Sequence, residues 1–371
     1  MDVFESCYKL LMALVIASLF VLGCDGNGEN DIALLDLSLP LETATTEEAG
    51  VNAAMLAEAE KKAAEIPRVV SMLTLKEGRI VQEAYFHGAT ASTLHDVRSV
   101  TKSIVSTMVG AMLEERLLEG LDETLGDHIS EDVAALTSNT SSISIRHLLT
   151  MSSGFTWDET TSNSYSTWIL SGDHIDHVLG LPFANPPGTS FTYNSGAVHL
   201  LGVLLEEATP QSLESLADSL LFQPLGITSL RWENLGEGYV NGGAGIDLRT
   251  RDLARLGQLY LQNGITGRQR LLTENWVLEA TTPRFNLQVT NGPLQDIDYG
   301  YLWWIVQDQP ERAYFAWGFG GQYIYVVPDL ELVVVTTTAW QGVTQDEGGV
   351  VGLEEAVMDI VINDIVAAVR G

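Results

Sequence analysis

Hydrophobic and polar positions follow strand or helix spacing along most of the chain. VNAAMLAEAEKKAAEI (51–66) has the composition of a helix and ends just before a proline. The next segment, RVVSMLTLKEGRIVQEAYFHG (68–88), holds two β-branched runs around Lys-Glu-Gly, which predicts a hairpin. Near the other end, YFAWGFGGQYIYVVPDLELVVVTTTAW (314–340) shows the alternation of consecutive antiparallel strands with a Pro-Asp turn. Both ends of the chain therefore supply strands.

Helical patterns fill the regions between these strands. SIVSTMVGAMLEERLLEG (103–120) is apolar nearly all round in its first half, which predicts a helix buried in the core. The middle of the chain, about 121–241, consists mostly of helical patches broken by Gly, Pro and Ser loops. A short strand and a helix are predicted over 242–264, and a last helix over 352–371. We therefore expect a mixed α/β (α+β) fold, in which one antiparallel sheet built from both chain ends is flanked by helices and carries an all-helical inserted subdomain.

The first 24 residues have the pattern of an export signal. Their apolar run, Leu10 to Leu22, is short for a membrane span and suits the core of a signal peptide. The run ends in Val-Leu-Gly-Cys24, which resembles a bacterial lipobox whose cysteine is lipidated and becomes the mature N-terminus. Acidic residues outnumber lysine before the run, so an ordinary cleaved signal or an uncleaved anchor stays an alternative. We expect an exported lipoprotein, anchored to a membrane and facing the periplasm or the cell exterior.

Composition and charge narrow the remaining function classes. Residues 25–47 are acidic and lack sustained periodicity, which predicts a tether ahead of a domain over 48–371. The formal net charge of -30 opposes binding to nucleic acid through charge alone. The only cysteine besides Cys24 is Cys7, within the signal segment, so the mature domain is predicted to have neither an intrachain disulfide nor a cysteine nucleophile. The sequence identifies no protein partner.

Candidate chemistry begins at Ser99 and Lys102, three positions apart where the buried helix is predicted to start. A serine that attacks a carbonyl group needs a base, and a lysine one helical turn later on the same face can serve. That lysine must be neutral, which burial favours by lowering its pKa. The spacing alone is weak evidence, because Ser6 and Lys9 repeat it in the signal segment; a capping serine with a surface lysine is the alternative. No Gly-x-Ser-x-Gly occurs, so a nucleophile elbow is absent.

Two further stretches offer groups for the same reaction. Tyr-Asn-Ser (193–195) follows a turn-forming Pro-Gly and opens a helix, so its tyrosine could share the serine proton and pass it to a leaving group. Trp-Gly-Phe-Gly-Gly (317–321) places three glycines within four residues, which lets a substrate approach the backbone and leaves N–H groups for an oxyanion. A structural tyrosine and a tight turn packed by the tryptophan are the alternatives.

In this order, the three features resemble the serine β-lactamase and penicillin-binding superfamily. The branch in question contains class C β-lactamases, D-alanyl-D-alanine carboxypeptidase-like proteins, family VIII carboxylesterases and 6-aminohexanoate-dimer hydrolase. SVTKS looks like its Ser-x-x-Lys motif, ISIRHLLTMSSGF (143–155) like the segment that follows, and YNS like its Tyr-x-Asn motif. DYGYLWW and GAGIDLRTRDLARLGQLYL also look like recurrent stretches, so the resemblance extends over most of 45–370.

The resemblance implies roles for individual residues. Ser99 would be the acylated nucleophile, Lys102 its base and Tyr193 the second proton-transfer residue. The Ser99 N–H and one N–H in the Phe319 to Gly320 region would form the oxyanion hole. Substrate-binding or oxyanion contacts are expected from Ser195, Trp317, Gly318, Phe319 and Gly320. The family needs no metal or other cofactor, so the Asp-His-Ile-Asp-His cluster at 173–177 is interpreted as a solvated helical face.

Two departures from the family pattern bear on the substrate. Ser195 stands where asparagine is usual, and Trp317-Gly318 stands in place of the lysine or histidine of the third motif, similar to the Trp-x-Gly of family VIII esterases. That missing cation normally pairs with a substrate carboxylate. Arg312 is near in sequence but is interpreted as a solvated charge. We therefore expect a small neutral ester or amide as substrate; a β-lactamase or D-Ala-D-Ala carboxypeptidase is the enzymatic alternative, and a non-catalytic protein that binds cell-wall fragments is the other class.

Overall fold

The computed structural model describes residues 34–159, 162–236, 238–307, 311–344 and 348–370. The signal segment, with Cys24, and residues 25–33 lie outside this part of the chain, so lipidation and export stay predictions. Within the described ranges, no helix combines the length and the hydropathy needed to cross a bilayer.

Thirteen strands are present in the described residues. They are β1 (Val69–Lys76), β2 (Arg79–Tyr85), β3 (His95–Asp96), β4 (Arg231–Trp232), β5 (Ile246–Leu248), β6 (Ile265–Thr266), β7 (Gln269–Arg270), β8 (Phe285–Asn291), β9 (Leu294–Tyr299), β10 (Trp304–Val306), β11 (Ala313–Gly318), β12 (Gln322–Val327) and β13 (Leu332–Thr338). Eight of them form one sheet in the order β2-β1-β13-β12-β11-β10-β9-β8. Because β1 pairs antiparallel with both β2 and β13, the sheet joins the two chain ends, as predicted.

Helices cover the sheet and fill the middle of the chain. They are α1 (Ala53–Glu65), α2 (Val100–Glu114), α3 (Leu125–His128), α4 (Ile145–Leu149), α5 (Ser164–Ile169), α6 (His174–Leu179), α7 (Ser195–Glu207), α8 (Leu213–Ala217), α9 (Thr250–Leu261), α10 (Glu274–Ala280), α11 (Gly349–Asp359) and α12 (Ala367–Arg370). A π-helical turn, Asp218–Phe222, extends α8, and another, Ile360–Val366, joins α11 to α12. A 3-10 turn, Pro328–Leu330, connects β12 to β13.

Side chains of the central strands alternate between two apolar layers. On β13, Val333 and Val335 join the layer that contains α2, α7 and α9, whereas Leu332 and Val334 join the layer of α1 and α11. Successive side chains on a strand point to opposite faces, so this alternation means that both faces of the sheet are covered. The predicted mixed fold, with helices flanking an antiparallel sheet, is therefore confirmed.

Helix α2 is buried from Val100 to Met112, as its all-round apolar pattern predicts. Its hydroxyl side chains find carbonyl acceptors inside the protein: Ser103 Oγ donates to the Leu302 oxygen and Ser106 Oγ to the Tyr301 oxygen, both at 2.7 Å. Buried hydroxyls need such partners, because water no longer solvates them. These bonds fix α2 against the chain just before β10, close to the candidate motifs.

The predicted tether is wrong for residues 34–47, which pack against the domain. Leu37 is fully buried, and its N–H donates to Thr266 Oγ1 at 2.7 Å. Arg255 Nε donates to the Leu37 oxygen at 3.0 Å, and Thr43 forms a parallel bridge with Ile80. The leucines that anchor this segment are interspersed with acidic and polar residues, so the average composition of the segment does not indicate that it packs against the domain. The packed domain therefore begins before the predicted boundary at 48.

Between 121 and 241, the described residues form short helices joined by loops. Helices α3 to α8 lie here, and β4 is the only strand that the described part of this region contains. Asn194 fixes the start of α7, since its side-chain Oδ1 accepts the Ala197 N–H at 2.9 Å. This cap sets the direction in which the Tyr193 and Ser195 side chains leave the chain.

Candidate active site

Ser99 directly precedes α2 and is free to act as more than a cap. Its side chain makes no capping hydrogen bond to the helix backbone. The preceding residue, Arg98, has φ of 49°, a left-handed conformation that is uncommon for residues other than glycine. Backbone strain of this kind persists only where the surrounding structure imposes it. The turn at Arg98 thus presents the Ser99 hydroxyl toward the interior of the site.

Lys102 lies one turn further along α2, and its amine contacts three oxygen atoms. Nζ donates to Ser99 Oγ at 2.8 Å, to Ser195 Oγ at 2.8 Å and to the Gly243 carbonyl oxygen at 2.6 Å. The residue is 1% exposed. Burial lowers the pKa of Lys102 to about 8, although the nearby Glu159 carboxylate opposes the decrease. A large share of the amine is therefore neutral in mildly alkaline solution and can accept a proton.

Ser195 is buried at the first turn of α7, with its hydroxyl on Lys102. Its backbone N–H donates to Glu159 Oε1 at 2.6 Å, and Trp157 Nε1 donates to the same oxygen at 2.9 Å. Glu159, a residue of the helical insert, therefore fixes the position of Ser195. The Ser195 hydroxyl contacts the same Lys102 amine as the Ser99 hydroxyl does. The contacts make Ser195 a partner of the base, whereas a substrate or oxyanion contact was expected from the sequence.

Tyr193 places its ring beside the same amine. Lys102 Nζ lies 4.9 Å from the ring centroid, and the ring stacks on Trp304 with centroids 5.8 Å apart. Burial raises the pKa of Tyr193 far above its ordinary value; Glu159 adds to this increase, and a side-chain hydrogen bond with Ser99 partly offsets it. The phenol therefore stays protonated and can act as a proton donor, consistent with the role that the resemblance implies.

If Tyr193 has the role that the resemblance implies, Tyr193→Phe should lower kcat for ester hydrolysis by about 10²-fold, because proton transfer to the leaving group loses its donor. The ring and its packing on Trp304 are kept, so KM should change little. Steady-state kinetics with esters of increasing leaving-group pKa measure this effect. A loss that does not grow as the leaving group becomes more basic would contradict the assigned role.

The third motif meets the start of α2 through a close backbone approach. A Cβ added at Gly318 would lie 2.2 Å from the Val97 carbonyl oxygen, so only glycine allows the end of β11 to approach the residue two before Ser99. The Gly320 N–H donates to Glu354 Oε1 at 2.7 Å and is not available to an oxyanion, which corrects the expectation for that residue.

Two backbone N–H groups at this junction, those of Ser99 and Phe319, make no hydrogen bond within the described part of the chain. Gly318 brings their segments together. Unpaired N–H groups of this kind are the usual components of an oxyanion hole. The arrangement favours Phe319 over Gly320 as the partner of Ser99 in such a hole.

Aromatic rings form an apolar wall along one side of these groups. The Trp317 ring lies 5.2 Å from the Trp304 ring, which stacks on Tyr193. Phe319 is 46% exposed, and its ring meets the edge of Trp340 at 5.6 Å. A wall of this composition suits an apolar acyl or alkyl group.

Four residues of the site were missed by sequence reasoning: Arg98, Glu159, Trp340 and Glu354. The Arg98 guanidinium lies 4.6 Å above the Trp340 ring and 5.4 Å from the Tyr165 ring. Arg312, the cation considered from sequence, instead donates to the Thr281 carbonyl oxygen at 2.8 Å and to its hydroxyl at 3.0 Å. Arg98 directly precedes Ser99, but no local pattern indicates its contacts with the two rings. The other three residues reach the site from separate loops or helices, so no spacing within a motif marks them.

The cluster at 173–177 is only partly a solvated face. His174 is 5% exposed, and its ring meets Trp168 edge-on at 5.7 Å. Asp173 caps α6 by accepting the Asp176 N–H at 3.0 Å. Among the residues that the structure describes, no three His, Cys, Asp or Glu side chains are grouped to hold a metal ion.

Comparison with known proteins identifies the family of this chain. The sequence model of the family described as Beta-lactamase matches residues 56–350. The chain belongs to the beta-lactamase family. Among known relatives, the 6-aminohexanoate-dimer hydrolase of Paenarthrobacter ureafaciens is 22% identical to this chain over 290 residues, which cover 73% of this chain and 72% of that protein. The resemblance drawn from the three motifs is thus confirmed at the level of the superfamily.

Solved structures confirm the beta-lactamase-like fold. The octameric penicillin-binding protein homologue from Pyrococcus abyssi aligns with a TM-score of 0.65 at 16% identity, covering 86% of this chain and 78% of that one. EstCE1, a hydrolase with promiscuous acyltransferase activity, aligns with a TM-score of 0.66 at 17% identity, covering 84% of this chain and 99% of that one. At such identities the likeness concerns the fold alone.

Proposed function

We propose that this beta-lactamase family member is a serine hydrolase that forms an acyl-enzyme on Ser99 and hydrolyses small neutral esters or amides, esters ahead of amides. The observation that carries the proposal is the buried amine of Lys102, 2.8 Å from both Ser99 Oγ and Ser195 Oγ. Burial of a lysine is costly and is rarely kept without a reason. A protein that only binds cell-wall fragments has no need of this amine, which makes that alternative the weaker one.

The contacts support a two-step reaction. Neutral Lys102 takes the Ser99 hydroxyl proton as Oγ attacks the substrate carbonyl carbon, and the N–H groups of Ser99 and Phe319 stabilise the negative carbonyl oxygen. When the tetrahedral intermediate collapses, Tyr193 gives its proton to the leaving alcohol or amine and regains one from Lys102. Water then attacks the acyl carbon by the reverse sequence of proton transfers, which releases the acid and restores the Ser99 hydroxyl.

Neutral substrates are favoured because the cations at the site are already engaged. Arg98 lies between two aromatic rings, with Asp96 Oδ2 3.8 Å from its Nη1. Lys102 is surrounded by hydroxyl and carbonyl oxygens. The family resemblance aligns Trp317 with the residue that supplies a cation for a substrate carboxylate in other members. The Paenarthrobacter relative is named a 6-aminohexanoate-dimer hydrolase, which supports a hydrolytic reaction.

A matched pair of esters tests the substrate charge. With p-nitrophenyl butyrate and the p-nitrophenyl half-ester of glutaric acid, the scissile bond is the same and only the second compound carries a carboxylate. We expect kcat/KM for the neutral ester to be about 10- to 100-fold higher, since the carboxylate lacks a cation to compensate its desolvation. Preference for the anionic ester, together with efficient turnover of an anionic β-lactam or a D-Ala-D-Ala peptide, would favour the β-lactamase or carboxypeptidase alternative.

A further inference from the structure

Glu354 is a buried carboxylate beside the third motif. It extends from α11 and is 8% exposed. Oε1 accepts the Gly320 N–H at 2.7 Å, and the Trp317 side chain also hydrogen-bonds to the carboxylate. The other titratable groups that face it are Glu355 on its own helix, Tyr323 on β12 and Tyr193. None of these is a cation.

Burial of an unpaired carboxylate costs free energy that two hydrogen bonds only partly offset. The groups that hydrogen-bond to the carboxylate therefore indicate its role. Trp317 and Gly320 lie on either side of Phe319, whose own side chain is exposed. Gly320 has φ of 86°, and a Cβ added there would lie 2.4 Å from Trp340 Cβ, so the turn has little room to shift. Glu354 thus holds the chain two residues before and one residue after Phe319, whose N–H remains unpaired.

We propose that Glu354 is a positioning residue, whose ionised carboxylate holds the turn at 317–320 so that the Phe319 N–H is directed at the substrate oxyanion. This inference rests on the proposed function of the same site. It also makes activity depend on the ionisation of a group that never contacts the substrate, because a neutral acid accepts weaker hydrogen bonds than a carboxylate does.

The expected pH dependence follows from the two buried groups. Burial raises the pKa of Glu354 to about 7, against the opposing effect of the Gly320 and Trp317 hydrogen bonds. As pH falls through 8, Lys102 becomes protonated, and as it falls through 7, Glu354 does. Below pH 8 the fraction of enzyme with a neutral Lys102 falls, and below pH 7 the fraction with an ionised Glu354 falls as well. The slope of log kcat/KM against pH should therefore increase from about 1 to about 2 below pH 7.

The effect of Glu354 on stability has the opposite sign. Its folded-state pKa is raised, so its contribution to folding is most favourable at low pH and is lost as pH rises through about 7. Glu354→Gln removes the buried charge and keeps an acceptor oxygen. The variant should therefore have the same Tm at pH 8 as the wild type, or a higher one, which separates positioning from a structural role.

The test compares kcat, KM and the pH profile for p-nitrophenyl butyrate in wild type, Glu354→Gln and Glu354→Leu, with Glu355→Gln as control. Glu355 is the exposed neighbour on the same helix, so its variant should match the wild type. Glu354→Leu is expected to lower kcat by about 10- to 100-fold with little change in KM, because the oxyanion forms only in the transition state. Glu354→Gln should lower kcat at pH 8 by a similar factor, because a neutral amide oxygen accepts weaker hydrogen bonds than a carboxylate does, and its acid limb should keep a slope of about 1.

Two outcomes would overturn the inference alone: wild-type kcat in Glu354→Leu, or the same acid-limb slope in wild type and Glu354→Gln. If Glu354→Leu does not fold, the slope in Glu354→Gln still decides. A wild type that neither turns over the ester nor is labelled by a fluorophosphonate would instead remove the proposed function, and the inference with it. That failure is seen in the wild type and needs none of the Glu354 variants.

Discussion

Ser99→Ala is expected to lower kcat/KM for p-nitrophenyl butyrate by about 10⁴-fold or more, because no other group can form the acyl-enzyme. The substitution removes one oxygen atom whose hydrogen-bond partner at 2.8 Å is Lys102. It leaves the oxyanion N–H groups in place, so a small residual rate over the uncatalysed reaction is compatible with the mechanism. Initial rates at substrate concentrations well below KM measure the change.

Ser106→Ala is the matched control for this substitution. Ser106 is a buried serine of α2, the helix that Ser99 precedes, but its hydroxyl donates to the Tyr301 carbonyl oxygen at 2.7 Å and faces no reacting group. We expect a loss of about 1 kcal/mol in unfolding free energy and kcat within about threefold of the wild type. Comparable activity in the two alanine variants would exclude Ser99 as the nucleophile.

Lys102→Met is expected to lower kcat/KM by about 10³-fold, since the Ser99 proton then has no acceptor. In the wild type, activity should rise as pH increases through about 8, the pKa to which burial lowers the amine. The limb near pH 8 should vanish in the methionine variant, which keeps only the limb near pH 7 that Glu354 produces. The pH profile of kcat/KM between about pH 6 and 9 measures both effects, because it reports the ionisation of the free enzyme.

Lys102→Arg tests whether positive charge alone is sufficient at this position. A guanidinium group keeps the charge and several donors but does not lose its proton at accessible pH. If Lys102 acts as the base, the arginine variant should be as inactive as the methionine variant. Retention of a tenth or more of wild-type kcat/KM in either variant would mean that another group accepts the Ser99 proton.

Local patterns were sufficient to predict much of the sheet. The hairpin of β1 and β2 and the run from β11 to β13 have strong alternation, and both layers that cover them are apolar. The strands β8 to β10 were not predicted. Strand β8 lies at the sheet edge, and its sequence FNLQVTN alternates between partly buried and exposed residues, a strand pattern that sequence reasoning missed.

Contacts at the site are likewise of two kinds: some join residues of one motif, and others join residues far apart in the sequence. Ser99 and Lys102 stand on one helical turn, so their contact follows from the spacing of the motif. The contacts of Lys102 with Ser195 and with Gly243 join residues 93 and 141 positions apart. Helix and strand periodicity contains no information on such distances. The bond between Glu354 and Gly320 likewise depends on how α11 packs on the sheet, which no spacing within either segment predicts.

The most direct test of the account is intact-mass analysis of the folded protein, stopped by acid during turnover of p-nitrophenyl butyrate and followed by peptide mapping. The proposed acyl-enzyme mechanism predicts a mass increase of one butyryl group, located on the peptide that contains Ser99 and absent in Ser99→Ala. A parallel fluorophosphonate reaction should label the same peptide if the acyl-enzyme is too short-lived to accumulate. Folded wild type that gains neither adduct and hydrolyses no ester, or an adduct on another residue, would contradict the account.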